Sequence, residues 1–338
     1  MKKSLKNFKK EYLDLLLNFH WRQWKTLGVS SSIAGYESRL IDPEALLIST
    51  CTIGRYEPRL FDEMIDWLDK NGRFINIQRL KTVAGKAPFA GRDILAPISS
   101  IMAKRGSRAK WKRLSRRTPK VKSPEPLFYK KDGKPMTSFG TPDPDFKEYG
   151  YQRGRIELRG RSGSPGMSHP ANLALKLRSL LGVSARCEIL LYLLTHESGH
   201  PSLIARETYF GQRTIHDTLN DMICSGLIQV RSSGRQKHYW LVKERWASLL
   251  ADDKTFPEWV TWPLFFSALE RVWLKMNDQE FLDLDALLQA SELRRLMGIV
   301  KPDIEQAGFS RNITDPTSVV GEEYTPVFMD DITALLGQ

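Results

Sequence analysis

Apolar residues recur at helical spacing, every third or fourth position, along most of the first hundred residues. The pattern predicts one amphipathic helix over residues 5–27. It predicts a second helix that Asp42 caps and that begins with Pro43, because a carboxylate accepts from free amide groups and proline suits the first helical position. A third helix is predicted to begin near Pro58.

The third helix is predicted to stop at Gly72, and the short run after it has a different pattern. Phe74, Ile75 and Ile77 predict a short strand. Together these elements predict an N-terminal helical domain over residues 1–103. The order of helix, helix, glycine stop and strand also fits a degenerate winged helix.

Residues 104–168 break the helical pattern, because Pro, Gly and charged residues replace the regular apolar positions. The first nineteen of them, KRGSRAKWKRLSRRTPKVK, contain ten Lys or Arg and no acid. Little apolar surface is available here to offset the loss of chain entropy on folding. The region is therefore predicted to be a basic arm or linker with little order of its own, pinned to a folded surface only by aromatic residues such as Phe146 and Tyr151.

Helical spacing returns in residues 169–243 and leads into the stretch PSLIARETYFGQRTIHDTLNDMICSGLIQVRSSGRQKHYWLV. Pro201 suits the first position of one helix, and Ala205 lets a second helix approach it closely. The second helix is predicted to end at Gly226. A β-hairpin is predicted after it, because two alternating runs flank the turn dipeptide Ser233-Gly234.

The predicted second helix has two distinct stripes. Its apolar stripe has the spacing i, i+4, i+7, i+8 and consists of Ile215, Leu219, Met222 and Ile223. Its polar stripe consists of Arg213, His216, Asp217 and Asn220. A helix that enters the major groove of DNA needs this division, with one side on the core and the other reaching base edges.

This part of the chain, SARCEILLYLLTHESGHPSLIARETYFGQRTIHDTLNDMICSGLIQVRSSGRQKHYWLV, resembles a winged helix-turn-helix domain of the MarR and ArsR type. The resemblance covers about residues 184–243 and implies that the helix reads DNA while the hairpin serves as a basic wing. The residues that it assigns to DNA contact in the helix are Gln212, Arg213, Thr214, His216 and Asn220. Those that it assigns in the wing are Arg231, Ser233, Arg235, Lys237 and His238.

The distribution of charge points to the same partner. The chain has a formal net charge of +12, yet residues 244–338 contain 17 Asp or Glu against eight Lys or Arg. A basic centre and an acidic tail predict a polyanion at the centre only, because like charges repel phosphate. The cations of the arm that are predicted to contact phosphate are Lys110, Lys112, Arg113, Arg116 and Arg117.

The sequence gives only weak signals for a metal site or a catalytic site. His196 and His200, with Cys187 nearby, lack the paired cysteines of some metal-sensing regulators, and the capping position of His200 before a proline argues against a metal. Acid pairs at 143–145, 252–253 and 283–285 have no matching His or Lys motif. No phosphate-cradling glycine loop is found, so the sequence predicts no catalytic residue, no metal and no cofactor.

The sequence also predicts a cytoplasmic location. No run approaches the roughly 18 apolar residues of a membrane span, and acids interrupt the basic and apolar N-terminus where a secretory signal would need an uninterrupted core. The three cysteines fit reduced thiols.

The predicted fold is therefore mostly α with small β-wings, a winged helix-turn-helix at 169–243 and an acidic helical region at 244–338. The predicted function is a transcriptional regulator, a repressor that binds double-stranded DNA as a homodimer. One alternative is an antitoxin or a defence-complex subunit whose acidic C-terminal region engages a protein partner. A DNA-processing enzyme is the other.

Overall fold

The computed structural model describes residues 4–105, 110–115, 124–137, 140–234, 236–250, 255–309 and 313–337, and they are mostly helical, as predicted. The helices of the first half are α1 (Leu5–Thr26), α2 (Pro43–Ile53), α3 (Pro58–Asn71), α4 (Ile77–Lys86), α5 (Leu95–Lys104), α6 (Lys112–Ser115) and α7 (Pro144–Glu148). Those of the second half are α8 (Leu173–Leu181), α9 (Ala185–Thr195), α10 (Pro201–Thr208), α11 (Gln212–Ile223), α12 (Lys243–Leu250), α13 (Trp262–Met276), α14 (Gln279–Leu282), α15 (Ala286–Gln306) and α16 (Tyr324–Leu336). Two small sheets pair β1 (Glu125–Pro126) in parallel with β2 (Tyr151–Gln152), and β3 (Ile228–Ser233) antiparallel with β4 (Gln236–Leu241).

Several helices begin where the sequence predicts. The hydroxyl of Ser4 accepts a hydrogen bond from an amide of the first turn of α1, which ends at Thr26. Asp42 Oδ1 accepts from the amides of Glu44 at 3.1 Å and Ala45 at 3.0 Å, so the predicted cap of α2 is confirmed. These side chains satisfy amide groups that have no partner within their own helix.

The strand predicted at Phe74, Ile75 and Ile77 is wrong. Phe74 closes one turn of 3-10 helix, and Ile77 begins α4, which Asn76 caps through a 3.0 Å hydrogen bond from the amide of Arg79. The three apolar side chains are nevertheless buried. So short an apolar run does not distinguish a strand from the turn before a helix.

Helices from both ends of the chain share one hydrophobic core. This body consists of α1–α5, α13, α15 and α16. The Tyr12 hydroxyl donates to the carbonyl of Leu269 at 2.8 Å, and the ring centroids of Phe19 and Trp262 lie 5.8 Å apart. The N-terminal and acidic C-terminal regions, which the sequence analysis separates, are therefore parts of one packed unit.

The described parts of residues 124–168 are irregular, but they pack onto the body more closely than the predicted arm would. Arg55 Nε donates to the carbonyl of Leu127 at 2.8 Å, and the Leu127 side chain is buried. The guanidinium of Arg153 lies 5.3 Å from the ring centroid of Phe146 and is itself buried. Aromatic and arginine contacts supply the order that low apolar content alone does not predict.

Residues 173–250 form a second unit, the α8–α12 module, with its own core. Leu177, Leu190, Ile204 and Leu219 meet there beneath the β3–β4 hairpin. Gly199, between α9 and α10, exchanges two backbone hydrogen bonds of 2.9 and 3.0 Å with Tyr239 of β4. Gly199 therefore pairs with β4 as a third, one-residue strand would, and this pairing joins the hairpin to the helices.

A buried ionic network joins the body to the module. Arg178 of α8 contacts Glu44 of α2 at 2.7 Å and Glu188 of α9 at 2.6 Å. Arg79 of α4 contacts Glu44 at 2.8 Å and Asp42 at 2.5 Å. Five charged groups therefore lie together out of water, which is favourable only while each retains its partners.

Gly91 makes a close backbone contact with α2, and a side chain there would disrupt it. A Cβ on Gly91 would lie 2.5 Å from the carbonyl carbon of Cys51 and 2.6 Å from the amide of Thr52. We expect Gly91→Ala to lower the free energy of unfolding by about 1–3 kcal/mol, because backbone rather than a flexible side chain must move. Urea unfolding followed by tryptophan fluorescence measures the change.

Gly85→Ala is the matched control for this prediction. Gly85 is also in the body, but a Cβ there would meet nothing within 4 Å. Because alanine favours helix over glycine by up to about 1 kcal/mol, Gly85→Ala should be neutral or stabilising. A Gly91→Ala protein as stable as the wild type would contradict the close approach.

Candidate nucleic-acid interface

The two stripes predicted for α11 face opposite environments. Ile215 and Leu219 are fully buried in the module core, and Met222 and Ile223 are partly buried against it. Besides Asp221 near its end, α11 exposes a set of polar side chains that consists of Gln212, Arg213, Thr214, His216, Asp217 and Asn220. We call this set the α11 polar face.

Arg213 is the most prominent side chain of the α11 polar face. Its side chain is 96% exposed, and its only ion pair within the described chain is a 3.7 Å contact with Asp217. An exposed pair at this distance is weak in water. His216 lies 3.3 Å from Asn220 and 3.5 Å from Asp217, so the polar side chains of the helix contact one another rather than the body.

The β3–β4 hairpin places further cations in solvent. Arg231 pairs in register with His238, and Ser232 pairs with Lys237. Arg231 and Lys237 are exposed, whereas His238 is half-buried with its ring 6.1 Å from that of His200. Of the other predicted wing residues, Ser233 is described by its backbone alone and Arg235 lies outside the described residues.

The charge of this surface is mixed. The described residues of α11 and the hairpin include three Lys or Arg, opposed by Asp217 and Asp221. Asp221 lies 3.5 Å from Arg186 of α9, which partly offsets it. Non-specific attraction to a polyanion would thus be modest, and the hydrogen-bonding groups of the α11 polar face are its more distinctive property.

The turn that leads into α11 is held to the body. Arg79 Nε of α4 donates to the carbonyl of Thr208, the last residue of α10, at 2.9 Å. Tyr209 follows with φ of 58°, which is rare for a bulky residue, while its ring packs in the body core. These neighbouring contacts fix the direction in which α11 leaves the body.

The structure describes residues 104–105 and 110–115 of the nineteen-residue basic segment that begins the predicted arm. Lys110 Nζ donates to the carbonyls of Arg73 and Ile75, both at 2.9 Å, and Trp111 beside it is fully buried. Lys110 therefore anchors the segment to the turn before α4, which argues against its predicted phosphate contact. Two further predicted cations, Lys112 and Arg113, are exposed, and the remaining two, Arg116 and Arg117, lie outside the described residues.

The residues considered for a metal site have separate structural roles. His196 stacks on Tyr192 with 3.9 Å between ring centroids, and burial lowers its pKa. His200 caps α10 by accepting from the amide of Ser202, and the thiol of Cys187 contacts the carbonyl of Leu177. In the part of the chain that the structure describes, no group of three or more His, Cys, Asp or Glu side chains could hold a metal ion.

The acid pairs are likewise occupied by local structure. Asp143 caps α7, and Asp145 accepts from the hydroxyl of Ser100 at 2.6 Å. Asp285 caps α15, and Asp283 accepts from a glutamine amide of α14. The third pair, at 252–253, lies outside the described residues.

A buried polar cluster in the body has no counterpart in the sequence analysis. His20 Nε2 lies 2.9 Å from the hydroxyl of Ser49, which also contacts Glu270. Glu270 accepts from the hydroxyl of Thr52 at 2.9 Å. Burial lowers the pKa of His20 to about 4 and raises the pKa of Glu270 to about 8. The sequence signal was an acid on the apolar face of α13, but its side-chain partners Ser49 and Thr52 are more than 200 positions away.

The chain matches no family model, no curated protein and no solved structure. Within the described residues, none of the helices combines the length and the apolar character that crossing a membrane requires.

Proposed function

We propose that the chain is a cytoplasmic transcriptional regulator that binds double-stranded DNA in a sequence-specific manner. The observation that carries the proposal is the exposure of the α11 polar face beside the β3–β4 hairpin. A surface helix whose polar side is left open, with a cationic hairpin next to it, has the shape and chemistry to enter a major groove.

The order of elements in the α8–α12 module supports a winged helix-turn-helix. Helix α9, the bridge at Gly199, helices α10 and α11, and the β3–β4 hairpin follow one another as they do in that fold. In the proposed arrangement α10 is the companion helix, α11 the reading helix and the hairpin the wing.

The proposed contacts divide into two kinds. In the proposal, Gln212, Arg213 and Thr214 in the first turn of α11 read base edges, since an Arg side chain can donate to both acceptors of guanine. Arg231 and Lys237 of the wing are placed for phosphates or a minor groove, where they add affinity without sequence preference.

The proposed mechanism is repression by a homodimer that occludes a promoter. Two copies related by a two-fold axis would present two reading helices to half-sites about one helical turn apart. A near-palindromic site is therefore the expected target.

Selection of bound fragments from random duplex DNA at physiological salt tests the proposal. We expect enrichment of one motif with inverted half-sites, followed by saturable binding of that motif in a fluorescence anisotropy titration. If no motif is enriched and the chain retains duplex DNA no better than a neutral protein of similar size, the proposed function is wrong.

Arg213→Ala should relax sequence preference. We expect it to weaken binding to the selected site by about 1–3 kcal/mol, because the lost contacts are to base edges, and to change binding to a scrambled duplex much less. Anisotropy titrations on both duplexes measure the difference. Arg295→Ala, at a 73% exposed position of α15, is the matched control and should change neither. Equal weakening on both duplexes by Arg213→Ala would contradict a reading role.

A further inference from the structure

A cleft of about 380 Å³ lies on the body, away from α11. One wall is the first half of α3, and the other is the extended chain of residues 153–162, which we call the strap. Its lining consists mainly of charged side chains from both walls.

Two carboxylates of α3 fix the strap at its ends. Asp62 pairs with Arg153 at 2.7 Å. Asp66 accepts from the amides of Gly160 at 2.7 Å and Ser162 at 2.9 Å. Both acids thus have partners within the chain, and together they hold the two ends of the strap against α3.

The residues between these anchors alternate in direction. Ile156 and Leu158 pack against the body core. Arg155, Glu157 and Arg159 are exposed and line the cleft. The period of two in an extended chain puts these three charged side chains on the same side.

Glu63 differs from the two anchoring acids. It lines the cleft between Asp62 and Asp66 and is only 7% exposed, yet its Oε2 atom is buried without a hydrogen-bond partner. Burial, and next the charge of Asp66, raise the pKa of Glu63. A buried carboxylate oxygen without a donor is unfavourable, so this position favours a ligand that supplies an N–H group.

The rim of the cleft, in contrast, offers free hydrogen-bond donors and therefore favours a ligand that supplies acceptors. Within the described chain the guanidinium groups of Arg59, Arg155 and Arg159 make neither a hydrogen bond nor an ion pair, although Arg59 stacks over Trp21 at 5.4 Å. Arg153 neutralises Asp62, whereas Asp66 keeps its charge because the strap holds it through neutral amides, so the three cations face three acids, Glu63, Asp66 and Glu157. The cleft therefore carries no net charge, but it presents free guanidinium groups beside the buried carboxylate of Glu63.

We propose that the cleft binds a free acidic amino acid, aspartate or glutamate, with its ammonium group on Glu63 and its carboxylates on the rim arginines. Ammonium supplies the missing donor, and guanidinium groups bind carboxylates through paired charge-assisted hydrogen bonds. The separated ammonium and carboxylate groups of such a ligand complement the buried acid and the free guanidinium groups of the cleft. Among the described residues that line the cleft, none has an aromatic ring on which a nucleotide base could stack. This proposal is independent of the proposed DNA binding.

Isothermal titration calorimetry on the full chain tests the proposal, with L-glutamate, L-aspartate, L-lysine and guanosine monophosphate as probes. We expect saturable binding of one or both acidic amino acids and weaker or no binding of the other two probes. Glu63→Gln keeps the side-chain shape but removes the charge, and it should weaken binding at least about tenfold, the size of one charge-assisted contact. Arg159→Ala removes an exposed guanidinium group that makes no hydrogen bond or ion pair within the described chain, and it should do the same.

Arg92→Ala is the matched control, because Arg92 is an exposed arginine of the body that does not line the cleft. It should leave the affinity unchanged, and circular dichroism checks that all three variants are folded. The proposal is overturned if neither acidic amino acid gives saturable heat at 10 mM, an upper concentration of about ten times a weak millimolar Kd. It is also overturned if the Glu63→Gln and Arg159→Ala proteins bind as the wild type does, or if L-lysine or the nucleotide binds more tightly.

Discussion

Arg178→Met is expected to lower the free energy of unfolding by about 3–5 kcal/mol. Arg178 is 1% exposed in its side chain and contacts Glu44 and Glu188, at 2.7 and 2.6 Å respectively. It also donates to the carbonyl of Phe74 at 2.9 Å. Methionine fills similar volume but supplies no donor, so two carboxylates that remain buried would lose a cationic partner.

Urea unfolding measures this change, and two further variants determine its cause. Arg186→Met alters an arginine whose side chain is 60% exposed, and it should cost less than about 1 kcal/mol. Adding Glu188→Gln to Arg178→Met should restore part of the lost stability, since one uncompensated charge is then removed. A loss below about 1 kcal/mol for Arg178→Met would mean that the network does not hold the α8–α12 module to the body.

The contribution of Glu270 to the stability of the protein is expected to fall as pH rises from about 5 to about 8, and Glu270→Gln should remove this contribution. Burial raises the pKa of Glu270 from 4.5 to about 8 in the folded chain. The folded state therefore retains a proton that the unfolded chain has released, so the contribution of this proton is complete below the unfolded pKa and is lost as pH rises through the folded pKa. At about 1.4 kcal/mol for each unit between the two pKa values, the full change amounts to about 5 kcal/mol.

Unfolding free energies of wild type and Glu270→Gln, measured at several pH values, isolate this contribution as their difference. Glu197→Gln, at an exposed position of the module, is the matched control and should follow the wild-type curve. His20 acts in the opposite direction. Its pKa is lowered to about 4 by burial, so its contribution is lost as pH falls below about 6.5. Parallel pH curves for wild type and Glu270→Gln would show that Glu270 is ionised in the folded chain.

Local signals in the sequence predict much of the secondary structure. Caps and first-position prolines give the beginnings of α2 and α10, because they act within three or four residues. The spacing of Ile215 and Leu219 predicts which side of α11 is buried, and the dipeptide Ser233-Gly234 predicts the hairpin. The exposure of the α11 polar face follows from the same spacing.

Such local signals do not predict contacts between residues that are distant in the sequence. The packing of Tyr12 against Leu269 joins positions 257 apart, and nothing in either local pattern indicates the partner. The anchoring of the basic segment by buried Trp111 depends on a site that helices of the body create. For the candidate interface, spacing predicts the face of α11, whereas its attachment through Arg79 and Tyr209 emerges only in three dimensions.

The shared core of the two chain ends has a consequence for biosynthesis. The body includes Leu335 and Leu336 together with Leu13 and Leu16 of α1, so its core cannot close until the ribosome has synthesised α16. At about 5–20 residues per second, α1 waits roughly 10–60 s for its C-terminal partners. The α8–α12 module draws most of its core from one stretch of sequence and can form during that interval. Nascent α1 and α2 meanwhile expose apolar surface, which favours aggregation.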